Sequence, residues 1–337
     1  MSFLKNKNIL VTGADGFIGS HLVENLASKG CNIKAMCIYN SFNSWGWLEH
    51  ADNKIKKEIR VITGDIRDEF LIKNQLKKNV DVVINLAALI GIPYSYRAPK
   101  SYFDTNAMGL LNILNSALNS NIKKIIHTST SEVYGSPKYI PIDEKHLVSA
   151  QSPYAASKVA ADQIALSYNK SFNSPVTILR PFNTFGPRQS LRAIIPTIIT
   201  QILNKKVLKL GSLYPTRDLT YIDDTTDAFL CALNKKKDIG EIINIGSGFE
   251  VSIKELVRKI SKITGYRIDI EKDFKRIRPK KSEVDRLFAN NKKAKKILNW
   301  SPKLNKKSDF ENSLKKTIEW FSNEENINQY KINIFND

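Results

Sequence analysis

Short apolar runs alternate with longer amphipathic stretches through the first half of the chain. The short runs are rich in β-branched residues, and the longer ones repeat apolar residues at helical spacing. This alternation predicts βαβ units, which assemble into a doubly wound sheet of parallel strands. The pattern predicts strands over residues 8–11, 33–38, 60–62, 82–86, 124–128 and 176–180, and helices over 17–27, 102–118 and 154–168.

The alternation weakens after Pro181, where Gly and Pro residues interrupt the chain more often. We expect one large α/β domain over residues 1–180, with a later return segment near 218–247 that ends in another strand. Residues 181–337 then form mainly a smaller, mixed domain. Helical patterns recur within it at 253–263 and 309–321.

Composition narrows the class of protein. A chain of 337 residues with 42% hydrophobic side chains can bury a large core. Its three cysteines, Cys31, Cys37 and Cys231, lack the spacing of metal ligands or of a disulfide framework. No apolar run approaches the roughly 18 residues of a membrane span, and no long apolar segment stands ahead of the first predicted strand, so we expect no cleaved leader. We expect a cytoplasmic protein with no metal site and no membrane partner.

The net charge of +19 raises the question of a nucleic-acid partner. The excess is mostly lysine and increases toward the C-terminal third, as in the segment 292–296. We interpret it as a solvated surface that also attracts an anionic small substrate, and we expect no nucleic-acid partner.

Glycines follow the first predicted strand at positions 13, 16 and 19, where the first helix begins. This spacing permits a tight turn, the approach of a pyrophosphate, and close packing of helix on sheet. The first helical N–H groups would then bind the phosphates. The pattern predicts a dinucleotide site formed by Gly13, Asp15, Gly16, Phe17, Ile18 and Gly19.

Other strand ends extend this cofactor site. The second strand ends near Cys37 without the carboxylate that grips an NAD ribose, and the following loop has no Arg or Lys for a 2′-phosphate. The choice between NAD and NADP therefore stays open. Further cofactor contacts are expected from Asp65 and Ile66 after the third strand, Leu86, Ala87 and Ala88 after the fourth, and Asn106 in the next helix.

Tyr154 and Lys158 lie four residues apart on a predicted helix, so both side chains project from one face. A nearby ammonium lowers the pKa of a phenol, which would let Tyr154 take a proton from a sugar hydroxyl as a nicotinamide takes the hydride. Thr130, which follows the fifth strand, would bind the same hydroxyl. Glu132 adds a carboxylate that alcohol oxidation does not need, and it could remove a proton from carbon.

With these motifs the chain resembles the extended short-chain dehydrogenases/reductases that act on nucleotide sugars. The similarity covers nearly the whole sequence. Within the family it is closest to bacterial nucleotide-diphospho-N-acetylglucosamine 4,6-dehydratases of legionaminic-type pathways, which serve polysaccharide biosynthesis. The motifs that carry the resemblance are Gly13-x-x-Gly16-x-x-Gly19, Tyr154-x-x-x-Lys158, the loop 88–95, and the segments 180–188, 190–197, 217–218 and 278–284.

The resemblance implies a Rossmann fold, a recycled NAD or NADP, and a transient 4-ketone. In this scheme Tyr154 takes the proton of the 4-hydroxyl, and Glu132 takes the proton from C5 before water leaves from C6. Where some relatives use an aspartic acid to protonate the departing C6 hydroxyl, this chain has Ser131. A serine is a weak acid, so we expect Glu132 to return the proton itself.

The resemblance also implies how the substrate is held. Residues 1–180 would bind the dinucleotide, and residues 181–337 mainly the nucleotide diphospho-sugar. Arg217 and Arg278 can bind phosphate oxygens in bidentate fashion, and Asn183 and Arg188 lie in neighbouring loops. The helices 102–118 and 154–168 resemble the pair that forms a homodimer interface in this family.

Three other functions compete with dehydration. UDP-glucuronate decarboxylases use the same oxidation and a similar Thr-Ser-Glu stretch, but release carbon dioxide. A 4-epimerase has no use for Glu132. A non-catalytic binding protein of this fold would be expected to lose Tyr154, Lys158 or the glycines, all of which are present.

Overall fold

The computed structural model describes residues 4–204, 207–235, 237–266, 269–303 and 307–332. The strands in chain order are β1 Asn8–Thr12, β2 Asn32–Ile38, β3 Ile59–Gly64, β4 Val82–Asn85, β5 Lys124–Thr128, β6 Val176–Pro181, β7 Asn183–Phe185, β8 Leu208–Leu210, β9 Thr216–Tyr221, β10 Ile242–Ile245, β11 Glu250–Ser252, β12 Ile270–Lys272 and β13 Arg286–Leu287.

The α-helices are α1 Phe17–Ala27, α2 Asn53–Glu58, α3 Glu69–Leu76, α4 Ile92–Ser95, α5 Pro99–Phe103, α6 Gly109–Leu118, α7 Pro153–Phe172, α8 Ile194–Leu203, α9 Ile222–Leu233, α10 Ile253–Thr264, α11 Lys292–Leu298, α12 Lys307–Ser322 and α13 Glu324–Ile327.

The larger sheet has seven strands in the order β10-β6-β5-β4-β1-β2-β3, and every neighbouring pair is parallel. The predicted α/β fold with a doubly wound parallel sheet is confirmed. All six predicted strands belong to this sheet, and β10 adds a seventh beside β6. The chain order reverses at β1, which pairs with both β2 and β4. Ligands of such sheets bind at the carboxyl ends beside this reversal.

Two helical layers cover this sheet. Leu22 of α1 and Phe229 of α9 are fully buried in the core on one face, and Leu110 of α6 and Ala161 of α7 in the core on the other. Because both faces are covered, the strands are apolar along most of their length, as in β4, whose four residues are all buried.

The helix predicted over 102–118 is interrupted in the structure. α5 and α6 are separated by a π-helical turn, Asp104–Met108. Such turns are frequent at functional sites, and this one carries the buried Asn106. The side chain of Asn106 bonds outside its own helix, which periodicity does not reveal.

The remaining strands and helices build a smaller lobe. β7, β9, β11 and β13 form one small sheet and β8 pairs with β12. Its apolar core lies between α8, α10 and α12, with Ile198, Leu256 and Leu314 fully buried. The carboxylate of Asp218 on β9 accepts bonds from Ser247 N, Ser247 Oγ, Gly248 N and Ala289 N at 2.6–3.1 Å. In the part of the chain that the structure describes, no helix is both long and apolar enough to cross a membrane.

Candidate active site

The glycine turn after β1 has the geometry of an anion cradle. Gly13 has a φ of +66°, and a Cβ there would lie 2.7 Å from the Ala87 nitrogen. A Cβ on Gly19 would lie 2.0 Å from the Gly13 carbonyl oxygen, so α1 packs directly on the turn. At Gly16 a Cβ would meet only that oxygen, at 3.4 Å. No side chain caps the first turn of α1, and its N–H groups are available to a phosphate.

Asp15 supplies a carboxylate at the end of β2. Its Oδ2 accepts a hydrogen bond from Ile38 N at 3.3 Å, and its backbone carbonyl accepts one from Trp47 N at 3.0 Å. Burial raises the pKa of Asp15 above its usual value. Neither Cys37 nor the loop 38–43 supplies a carboxylate at the end of β2. Asp15, in the glycine turn, places a carboxylate at this strand end instead.

The loop after β4 is fixed from two sides. Ala87 N donates to Thr12 Oγ1 at 3.2 Å, and Thr12 donates in turn to Asn85 Oδ1 at 2.7 Å. Asn106 binds both the N–H and the carbonyl of Leu89 at 2.9 Å and donates to Ser157 Oγ at 2.9 Å. Asn106 therefore joins the loop containing Leu86, Ala87 and Ala88 to α7, beside Lys158 in sequence.

Tyr154 and Lys158 occupy the first two turns of α7. The helix begins after Ser152, whose hydroxyl accepts from Ala155 N at 3.1 Å. Both side chains are buried, and Lys158 Nζ donates to the Thr128 carbonyl at 2.5 Å. The predicted pair is thus placed at the carboxyl end of β5.

Burial acts on both groups. It raises the pKa of Tyr154, although a hydrogen bond with Thr130 opposes this, and the nearby charge of Glu132 raises the pKa further. Burial lowers the pKa of Lys158 to about 8, and the charge of Asp162 opposes that shift. A base at Tyr154 needs positive charge close by, which the Lys158 ammonium provides below about pH 8.

Glu132 lies in a 3₁₀ turn, Ser131–Tyr134, directly after β5. Thr130 caps this turn by accepting a bond from Glu132 N at 3.3 Å. The Glu132 side chain is 11% exposed, and its Oε2 lies 3.8 Å from Arg278 Nη1. The structure therefore brings Thr130, Glu132 and Tyr154 together, with the buried Ser131 in the same turn.

Two arginines from the smaller lobe face this carboxylate. Arg217 on β9 is buried, and burial lowers its pKa, while the charges of Glu132 and Glu283 oppose that shift. Glu283 Oε1 lies 3.4 Å from Arg217 Nη2 and 4.0 Å from Arg278 Nη1. The buried Nη1 of Arg278 has no hydrogen-bond partner within the described residues. A nitrogen of this kind is suited to a phosphate oxygen.

Glu283 is a site residue that sequence reasoning missed. It lies within the segment 278–284 that carries the family resemblance, five residues after Arg278. The signal available was a carboxylate directly before the buried Val284, in a loop that also carries an arginine. Only the fold shows that Glu283 contacts Arg217 on another strand.

The other predicted residues lie at the edges of the site. Asn183 on β7 has a buried Oδ1 that lacks a partner among the described residues. Arg188 is not brought to Arg217: its guanidinium donates to Glu24 Oε1 at 2.8 Å and to Ser20 Oγ at 3.2 Å, both on α1. Asp65 is ion-paired with Arg67 at 2.5 Å. Ile66 packs under Gly109, whose Cβ would lie 2.4 Å from Ile66 Cδ1.

A cavity of about 300 Å³ opens over the loop that follows β4. The loop 88–91, Tyr94, Tyr102 and Arg192 line it. The Tyr102 ring meets the Tyr154 ring edge-on, with centroids 6.2 Å apart. Tyr102 therefore connects this cavity to Tyr154, and sequence reasoning assigned no role to Tyr102 or Arg192.

A Rossmann sheet with a glycine cradle and a Thr-Tyr-Lys set at its carboxyl edge defines an extended short-chain dehydrogenase/reductase. The family model described as GDP-mannose 4,6 dehydratase matches residues 10–316, and the chain belongs to this family of nucleotide-sugar dehydratases, epimerases and decarboxylases.

Relatives with different reactions share its full length. A putative UDP-glucose 4-epimerase from Methanocaldococcus jannaschii is 34% identical over 320 residues, 94% of this chain and 98% of that protein. A UDP-N-acetyl-alpha-D-glucosaminuronate decarboxylase from Bacillus cytotoxicus is 33% identical over 95% of this chain and 99% of its own. The solved dTDP-glucose 4,6-dehydratase from Bacillus anthracis, in complex with NAD, has a TM-score of 0.81 at 30% identity, covering 95% of this chain and 98% of that one.

Proposed function

We propose that the protein is a nucleotide-sugar 4,6-dehydratase. It converts a nucleotide-diphospho-hexose, which we infer to be UDP- or GDP-N-acetylglucosamine, to the 4-keto-6-deoxy sugar. The observation that carries this proposal is the position of Glu132, a carboxylate beside both Thr130 and Tyr154. Oxidation alone has no use for it, whereas dehydration needs a second base. The inferred acetamido sugar rests on the loop 88–95 and the segments 190–197 and 278–284 named above.

We infer that the cofactor is NAD. The glycine turn and the uncapped start of α1 fit a pyrophosphate, and Asp15 places a carboxylate at the end of β2, where a ribose would lie. The loop 39–44 contains no Arg or Lys for a 2′-phosphate. When bound, the nicotinamide would take a hydride from C4 of the sugar and later return it to C6.

The side chains divide the proton transfers between them. Tyr154 accepts the proton of the 4-hydroxyl, with Thr130 holding the same oxygen and Lys158 stabilising the phenolate. The resulting ketone acidifies the proton on C5, which Glu132 removes. Glu132 then gives this proton to the departing 6-hydroxyl, because Ser131 is too weak an acid to do so.

The glycines permit a test that separates packing from cofactor binding. Gly19→Ala forces a Cβ against the Gly13 carbonyl oxygen, so we expect a loss of about 1–3 kcal/mol in the free energy of unfolding. Gly16→Ala meets no atom closer than 3.4 Å. It should therefore keep the unfolding free energy but weaken NAD binding. Denaturant unfolding and calorimetric titration with NAD measure the two effects; equal NAD affinity in Gly16→Ala and the natural protein would contradict the assignment.

Arg217, Arg278 and Asn183 are proposed to bind the diphosphate. Arg217→Gln removes a charged donor whose bonds contribute about 1.5–3 kcal/mol, so KM should rise about 10- to 100-fold with kcat little changed. Arg286→Gln is the matched control, since Arg286 lies on the adjacent β13 and pairs with the surface carboxylate of Glu250. A KM that rises equally in both variants would remove Arg217 from the site.

Decarboxylation is the second candidate. It needs the same transient 4-ketone, and a 33% identical relative is a decarboxylase of an acetamido uronic acid. The buried guanidinium of Arg217 and the cavity-lining Arg192 are suited to a sugar carboxylate as well as to phosphate. Epimerases share the fold too, but leave Glu132 without a task.

Product masses decide between these reactions. The purified protein is incubated with UDP-, GDP-, dTDP- and CDP-linked hexoses, acetamido hexoses and uronic acids. The proposal predicts a product lighter by one water from a hexose. Conversion of uronic acids only, with loss of carbon dioxide, would establish the decarboxylase. A product of unchanged mass with inverted configuration at C4 would establish the epimerase.

We further propose a cytoplasmic homodimer joined through α5, α6 and α7. Apolar side chains on these helices and the π turn are exposed, including Met108 at 47% and Phe172 at 55%. Exposed large apolar side chains on packed helices favour an interface there. Sedimentation equilibrium tests the proposal, and a monomer at micromolar concentration would contradict it.

A further inference from the structure

A network of charged groups lies beneath the candidate active site, on the side of α7 that faces the sheet. Its centre is Asp162, which is fully buried and follows Lys158 by four residues, one turn along the same helix. The Asp162 Oδ2 atom accepts bonds from Arg180 Nη2 at 2.8 Å, Arg180 Nε at 3.0 Å and Ser129 Oγ at 2.9 Å.

The other oxygen of Asp162 has no hydrogen-bond partner among the described residues. It lies 3.7 Å from His127 Nε2, which is likewise buried and unpartnered in that part of the chain. Asn85 Nδ2 donates to His127 Nδ1, since Asn85 Oδ1 already accepts from Thr12. His127 is then neutral with its proton on Nε2, and burial holds its pKa well below the usual value.

One carboxylate serves two buried cations in this network. Lys158 on α7 and Arg180 on β6 are both buried cations; Arg180 bonds directly to Asp162, and the charge of Asp162 favours the protonated form of Lys158, one turn away on the same helix. The other titratable groups that face it are His127 on β5 and Tyr154 on α7. Buried cations without a counter-charge are strongly disfavoured, and removal of Asp162 would leave Lys158 and Arg180 held by neutral partners such as the Thr128 carbonyl and the Tyr134 hydroxyl.

We propose that Asp162 is a positioning residue for the reaction: it is the counter-ion that Lys158 and Arg180 share, and it keeps Lys158 an ammonium beside Tyr154. Its bond to Ser129 also holds the strand end next to Thr130 against α7. Asp162 itself touches neither substrate nor cofactor. The inference rests on the proposed function only in taking Tyr154 and Lys158 as the reacting pair.

Asp162→Asn, which keeps the shape and removes the charge, tests the proposal in the full-length protein. Lys158, whose pKa burial lowers to about 8, should lose its proton in this variant at a pH at least one unit lower than in the natural protein. The alkaline limb of kcat/KM should move with it, which is about a tenfold loss of rate above the new midpoint. Carbon-13 NMR of protein labelled at the lysine ε-carbon reads the titration directly, with the Lys158 signal assigned by its absence in Lys158→Arg.

Three further variants keep the test decisive. Arg180→Gln leaves Asp162 to Lys158 alone, so the lysine midpoint should move to higher pH; this variant carries the test if Asp162→Asn does not fold. Ser129→Ala removes the bond to the strand end without removing charge, and should leave the midpoint in place. Asp238→Asn, in a second buried pair with Lys124 at 2.5 Å, controls for general loss of a buried carboxylate and should also leave it unchanged.

An unchanged Lys158 midpoint in Asp162→Asn, with the rate lowered equally at every pH, would overturn the proposal and leave Asp162 a structural residue. If the midpoint moves but no sugar nucleotide is converted, the positioning role stands and the proposed dehydratase function fails.

Discussion

Glu132→Gln should stop dehydration and leave oxidation at C4 intact. The substitution keeps the size of the side chain, but an amide neither removes the C5 proton nor protonates the leaving hydroxyl. General acid–base catalysis contributes about 100- to 10,000-fold, so turnover to the 4-keto-6-deoxy product should fall by that factor. The reaction should stall as a 4-keto-6-hydroxy sugar with reduced cofactor, which near-ultraviolet absorbance and mass spectrometry detect together.

A second glutamate controls for the loss of a carboxylate. Glu144 Oε1 accepts a bond from Asn244 N at 2.8 Å, outside the candidate site, and Glu144→Gln should turn over normally. Near-normal dehydration by Glu132→Gln would contradict its role as the second base. Loss of oxidation as well would place Glu132 in the first step instead.

Tyr154→Phe should abolish both steps. Without the phenol no group takes the proton of the 4-hydroxyl, so neither ketone nor reduced cofactor forms, and the rate of oxidation should fall about 100- to 10,000-fold. The helix should be unaffected, because Ser152 caps it and the Tyr154 ring still packs against Tyr102. Rapid mixing with substrate and NAD measures the formation of reduced cofactor in a single turnover.

Tyr168→Phe is the matched control on the same helix. The Tyr168 hydroxyl donates to Asn115, outside the candidate site. Its variant should oxidise substrate at the natural rate. If Tyr154→Phe retained oxidation, another group would have to be the base, and the assignment of the Tyr-x-x-x-Lys motif would be wrong.

The pH dependence follows from Lys158. Its pKa is lowered in the folded protein to about 8, so the ammonium that supports the Tyr154 phenolate is present below that pH and is lost above it. The rate of oxidation should therefore fall on the alkaline side of about pH 8, which is the limb that Asp162→Asn is expected to move.

Sequence predicted the parts of the fold that depend on local pattern. Buried parallel strands such as β4 can be recognised as short, mainly apolar runs. Gly13, Gly16 and Gly19 follow β1 at a spacing that predicts a tight turn. The same locality places Tyr154 one helical turn before Lys158. The positions of Thr130 and Glu132 could be predicted too, because both residues come directly after β5.

Contacts between distant segments could not be predicted in this way. The guanidinium of Arg188, which the sequence predicts in a substrate loop, donates to Glu24 and Ser20 of α1. Sequence could not assign a role to Glu283 or Asp162, because the arginines that they contact lie on distant strands, β9 and β6. The π turn around Asn106 could not be predicted for the same reason. The side chain of Asn106 bonds to Leu89 and Ser157, which lie outside its own helix.

The fate of a deuterium label at C4 shows directly whether the protein is a 4,6-dehydratase. The protein is given the converted sugar nucleotide labelled at C4, and the product is examined by mass spectrometry and NMR. A 4,6-dehydratase should give a 4-keto product that is lighter by one water and carries the deuterium at C6, because the hydride taken from C4 returns to C6. Deuterium retained at C4, or lost without a 6-deoxy product, would contradict the proposed function.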